Sequence, residues 1–123
     1  MTAPCFHAES TARVFGGKPE DYVAIHNWMD ESKVAYGDFR HRALRHHTFG
    51  ISECVRVFGD YLVNSDGTKV AVRYVAEQHV LEDCGGRIPT VEDWLGTIVP
   101  KPWMARATPT KLGHGTREGA KQA

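Results

Sequence analysis

Between Tyr36 and Phe58, positions suited to burial recur every three or four residues, at Tyr36, Phe39, Ala43, His47, Ile51, Cys54, Val55 and Phe58. Residues at that spacing share one face of a helix. The stretch therefore predicts one long amphipathic helix, or two helices broken near Thr48-Phe49-Gly50. It commits the chain to a mainly helical fold.

The flanking segments fit around it. Pro4 can open a short first helix that Gly16-Gly17 ends. Pro19, with Glu20 and Asp21 in the first turn, starts a second helix running to about Lys33. Tyr22, Ile25, Trp28, Met29 and Ser32 keep its helical period. After Phe58 the period changes: Tyr61-Leu62-Val63 and Lys69-Val70-Ala71-Val72 flank the turn signal Asn64-Ser65-Asp66-Gly67, which predicts a β-hairpin. The chain reads helical again from about Arg73 through Asp83, with Gly85-Gly86 as the stop. Thr90, with Asp93 in a capping-box position, starts a last helix from Val91 to about Ile98, and Pro100 and Pro102 end it. The expected fold is a compact α+β domain of four to five helices and a small β-hairpin over residues 1–104. Residues 105–123 are expected to form a disordered tail.

Composition narrows the function. Apolar residues make up 41% of the 123 and charged residues 24%, an ordinary globular balance. No run is long and apolar enough to span a membrane, and no signal peptide is visible, so a cytoplasmic protein is expected. Cys5, Cys54 and Cys84 form no C-x-x-C pair, which disfavours a disulfide framework or a thiolate zinc finger. Residues 105–123 carry four basic side chains against one acidic, and the other 104 residues carry 11 basic against 14 acidic. A slightly acidic domain is a poor platform for nucleic acid.

The seven histidines hold the chemistry. His47 falls in the apolar stripe between Ala43 and Ile51. His79 lies with Val72, Val75, Ala76 and Val80, and Asp83 follows it at i+4. His26 neighbours Tyr22, Val23 and Met29, with Asp30 at i+4. Three helices thus aim one imidazole each toward a common interior. Buried imidazoles need partners for their ring nitrogens, and a transition metal satisfies several at once. His46 points about 100° away from His47 on a regular helix. It then shares a face with Arg42 and Glu53, which could orient it. His41 is expected at the surface or a pocket rim, and His7 reaches such a site only through tertiary packing. His114 sits in the tail.

Phe15-Gly16-Gly17-Lys18-Pro19-Glu20-Asp21-Tyr22, Ile25-His26-Asn27-Trp28, His41-Arg42-Ala43-Leu44-Arg45-His46-His47, Glu77-Gln78-His79-Val80-Leu81-Glu82-Asp83 and Ile88-Pro89-Thr90 resemble a family of small bacterial and phage proteins with no assigned function. The resemblance covers about residues 6–104. It implies no activity, fold or ligand. It does place His7, His26, His41, His46, His47 and His79 inside the family's pattern.

The leading expectation is a metal-binding protein, as a metal-dependent hydrolase of a small anionic substrate. Its ligands would come from His26, His46, His47, His79 and Asp83. Zinc comes first, with iron, manganese or nickel as alternatives. Glu77 or Glu53 is the candidate general base, and Arg42 or Arg45 would steer the anion. A metal-free binding or protein-interaction module with structural histidines is the second reading. Nucleic-acid phosphate binding by the Arg40–His47 run and the C-terminal tail is the third. A homo-oligomer is compatible with all three. No H-E-x-x-H, P-loop, G-x-S-x-G or dinucleotide fingerprint is present.

Overall fold

Proline at a helix start loses no hydrogen bond, and Pro4 opens α1 (Pro4–Phe15), which ends at Gly16 and Gly17. Gly17 has φ +74, and a Cβ there would lie 2.8 Å from the Asn64 side chain, so this stop accepts only glycine. The computed structural model describes residues 4–110, with side chains from Phe6 onward. The expected second helix is divided into a 3-10 turn at Pro19–Asp21, α2 (Val23–Asp30) and a second 3-10 turn at Glu31–Val34. Tyr22 makes the joint: it is fully buried, and its hydroxyl donates to the Gly16 carbonyl at 2.7 Å.

The stripe from Tyr36 to Phe58 becomes a 3-10 turn at Phe39–His41, α3 (Arg42–Arg45) and α4 (Thr48–Phe58). Strands β1 (Tyr61–Val63) and β2 (Lys69–Ala71) then pair antiparallel, with Leu62 opposite Val70. Helix α5 (Val72–Asp83) follows directly from β2. Thr90 caps α6 (Val91–Leu95) with the expected Asp93 box. Pro100 does not close the ordered chain, since Pro102 opens a further short helix, α7 (Pro102–Ala105). The fold is α+β, helices around one hairpin, as expected. Residues 106–110 are exposed, and the rest of the expected tail, His114 included, lies outside the described residues.

The apolar core is built by Ile25 and Met29 of α2, Ile51 and Cys54 of α4, Val70 of β2, and Val72, Val75, Ala76 and Val80 of α5. Cys54 is a free buried thiol, and burial pushes its pKa up to about 12, so it is inert packing. No helix among the described residues is long and apolar enough to cross a membrane.

Candidate metal centre

The break in the long stripe decides which histidine turns inward. It falls at His46-His47, just before the expected Thr48-Phe49-Gly50. His47 is extended (φ −162°, ψ 174°) and stands at the N-terminus of α4. A Cβ on Gly50 would come within 1.9 Å of the Arg45 carbonyl oxygen, so only glycine lets α4 start this close to α3. The expectation that His47 ligates a metal is corrected by its contacts. Its Nδ1 accepts from the Gly50 N–H at 2.9 Å, and its Nε2–H donates to the Ala43 carbonyl at 3.0 Å. His47 is a helix cap with both nitrogens occupied by backbone.

His46 takes the interior position. Together with His7 of α1, His26 and Asp30 of α2, and His79 and Asp83 of α5, it forms a buried polar cluster whose four imidazoles have no solvent exposure. The His7 and His79 ring centroids are 3.9 Å apart, and those of His46 and His79 are 5.0 Å apart. His7, Asp30, His79 and Asp83 each present one ligand atom within 4.8 Å of the others. His46 Nε2 lies 3.0 Å from Asp83 Oδ2 and 3.6 Å from Asp30 Oδ1. His79 Nε2 lies 3.2 Å from both Asp30 Oδ1 and Asp83 Oδ2, and His7 Nε2 is 3.2 Å from Asp83 Oδ1. Metal bonds of about 2.0–2.2 Å place adjacent ligands roughly 2.8–3.6 Å apart, and all five separations fall in that range.

Outer contacts fix the tautomers. His7 Nδ1 faces Glu82 Oε1 at 2.7 Å, so a neutral His7 holds its proton on Nδ1 and a lone pair on Nε2. Glu82 is itself held by Ser10 Oγ and Gln78 Nε2. The amide orientation leaves Gln78 Oε1 to accept from Thr11 Oγ1, which also faces the His7 carbonyl. Thr11 has spent its one proton, so His26 Nε2–H donates to Thr11 Oγ1 at 2.8 Å. His26 Nδ1 then accepts from His79 Nδ1 at 2.9 Å, and a neutral His79 keeps a lone pair on Nε2. Thus His7 and His79 both turn acceptor nitrogens toward acceptor carboxylates. Only a proton or a metal cation between them relieves that arrangement.

Charge follows the same geometry. Burial, with the His79 and His7 charges, depresses His26 to about 3, consistent with its neutral role. Burial also lowers His46, against the Asp83 hydrogen bond. For His79, burial opposes the charged form, but hydrogen bonds that the imidazolium would donate to Asp30 and Asp83 outweigh it and raise the pKa. Burial would raise Asp83, yet the imidazoles of His46, His7 and His79 beside it hold it far below the carboxylate range. Among the described residues, five buried side-chain polar atoms lack a hydrogen-bond partner: His7 Nε2, Asp30 Oδ2, Asp83 Oδ1, His46 Nδ1 and Arg42 Nε. Four of them belong to the cluster.

The structure therefore brings His26, His46, His79 and Asp83 together and leaves out His47. His26 sits behind His79, contacting Thr11 and His79. Glu53, a candidate base and orienter of His46, instead forms an ion pair with Arg56 on α4. Glu77 lies two residues before His79, roughly 200° around α5, and takes no part in the hydrogen-bond network around the cluster. Arg42 does reach the site, donating from Nη1 to the Asp83 carbonyl at 2.8 Å. Arg45 turns away: its guanidinium stacks on Trp28 at 3.9 Å and pairs with Glu31. His41 is fully buried rather than at a rim, with Nδ1 3.1 Å from Ser32 Oγ.

Glu82 and Thr11 were not expected at the site, and His7, expected to reach it only through tertiary packing, does so. The only local signal was His7 and Thr11 at i, i+4 on α1, and their partners lie about 70 positions away on α5. No curated protein and no solved structure matches the chain. A family match covers residues 2–104, and with them every member of the cluster: the chain belongs to DUF6915, a domain of unknown function.

Proposed function

We propose that this chain is a metal-binding domain whose buried His/Asp cluster holds one divalent transition metal. His7, Asp30, His79 and Asp83 supply the ligand atoms, and His46 stands beside them. The observation that carries this reading is the His7 Nε2–Asp83 Oδ1 contact. The two atoms are 3.2 Å apart, fully buried, and neither has a hydrogen-bond partner. Two acceptors at that separation suit two ligands of one ion better than they suit each other. The Glu82–His7 pair has the carboxylate–histidine form that sets ligand tautomer and basicity. Mixed imidazole and carboxylate donors favour zinc, with iron, manganese or nickel next. Hydrolysis of a small anionic substrate would need an open position for an activated water, which four protein ligands leave only on an ion with more than four coordination positions or if one ligand gives way.

Elemental analysis of protein purified without a histidine tag tests the reading. About one equivalent of metal is expected, removed by chelator and restored with a rise in melting temperature. No bound metal, and no thermal shift on adding zinc, manganese, iron or nickel, would overturn it.

The raised pKa of His79 favours a second reading. There the cluster is metal-free, and an imidazolium at His79 is clamped by Asp30 and Asp83 in a binding or interaction module. The same elemental analysis separates the two.

A further inference from the structure

Beside the cluster lies a cavity of about 270 Å³ whose wall includes Arg42, Asp83, Arg87, Pro89, Asp93 and Trp94. Asp83 belongs to both places. Trp94 is fixed by an indole N–H bond to the His46 carbonyl at 2.9 Å, so the turn that presents His46 also sets this wall. With Pro89 it forms an apolar side. The opposite chemistry comes from two guanidinium groups.

Arg42 is anchored by Nη1 on the Asp83 carbonyl, with Nη2 3.9 Å from Asp83 Oδ1, yet its buried Nε–H has no acceptor. A buried donor without a partner is costly, and guanidinium geometry suits oxyanions. Arg87 is two-thirds exposed and contacts Asp93 Oδ2 at 3.1 Å. Water screens such a pair, and a better-placed anion can replace it. Asp93 has another task, accepting from the Thr90 N–H in the cap of α6.

We infer that this cavity binds a small ligand bearing a carboxylate or phosphate. Arg42 and Arg87 take the oxyanion, and Trp94 and Pro89 cover its apolar part. The size is just below that of ordinary small-molecule pockets, which limits the occupant to a small metabolite-sized molecule. As a substrate site the inference rests on the metal reading above; as an anion site it stands without it.

The test is a titration with inorganic phosphate, and separately with acetate and benzoate. It is followed through the Trp94 indole N–H resonance in metal-loaded and chelator-treated protein. Saturable shifts are expected in both forms, and Arg87→Gln should weaken binding about tenfold. Asp93→Asn frees Arg87 and should not weaken it. Arg87→Gln leaves the folded core untouched, so it remains informative if Arg42→Gln fails to fold. A preference for phosphate or for carboxylate identifies the class. No saturable shift in either form, or binding that Arg87→Gln leaves unchanged, would overturn the site without touching the metal reading. Binding in both forms alongside a failed metal analysis would keep the anion site and remove its substrate role.

Discussion

Helices α2 and α5 each contribute to two interiors of opposite character. Ile25 and Met29 enter the apolar core from α2, while His26 and Asp30, each one position along, enter the polar cluster. Val75, Ala76 and Val80 of α5 do the first, and His79 and Asp83 the second. The apolar side needs nothing beyond exclusion of water and close packing. The polar side is unfavourable until each lone pair and proton finds a partner, and a buried charge cluster is seldom kept for stability alone. One region holds the fold and the other is the candidate site.

The largest effect should come from the polar side. Saturating metal at roughly a thousand times Kd adds about 4 kcal/mol to the native state, or about 15 °C in melting temperature for a domain of this size. His79→Ala should abolish that shift; retention of the shift would place the metal elsewhere.

The apolar side should respond in the opposite sense. Met29→Ala opens a cavity among buried side chains and should cost about 2–5 kcal/mol in denaturant unfolding. Metal stoichiometry should be unchanged, and loss of metal in this variant would show that the two interiors are not separable.

Acid should distinguish the two interiors in metal-free protein. Between the ordinary histidine pKa of 6.5 and about 3, the unfolded chain binds a proton that folded His26 refuses. Stability therefore falls as pH drops through that window, by a few kcal/mol. The raised His79 pKa works the other way, its contribution being lost as pH rises through that value. Asp83, held low, gives way only in stronger acid. Urea midpoints measured against pH should show this fall for the wild type and a flatter profile for His26→Gln.

The adjacent histidines give the smallest and sharpest contrast. His47→Ala removes a helix cap and should cost about 0.5–2 kcal/mol with metal affinity unchanged. His46→Ala should weaken metal retention in a chelator competition. Equal effects of the two on metal would contradict the assignment.

Features set by local chemistry were legible in the sequence. The Asn64–Gly67 turn, the Thr90–Asp93 cap and the histidine–carboxylate spacing at 26–30 and 79–83 all follow from neighbours in the chain. Partnership across helices was not. His79 meets Asp30 as well as its own Asp83, while His26 meets Thr11. His46 and His47 were both candidate ligands, and the helical period gave the inward face to His47, because the break falls two residues before the expected Thr48-Phe49-Gly50. The break depends on the approach of Gly50 to the Arg45 carbonyl, which no spacing rule contains. His7 could be named only as a residue that tertiary packing could bring in, because α1 meets α5 only in the folded chain.

An anomalous difference map from crystals of untagged, zinc-loaded protein bears most directly on the cluster. A single peak should lie about 2.0–2.2 Å from His7 Nε2, His79 Nε2 and one oxygen each of Asp30 and Asp83. No peak between those atoms, or a peak only at surface histidines, would contradict the metal centre.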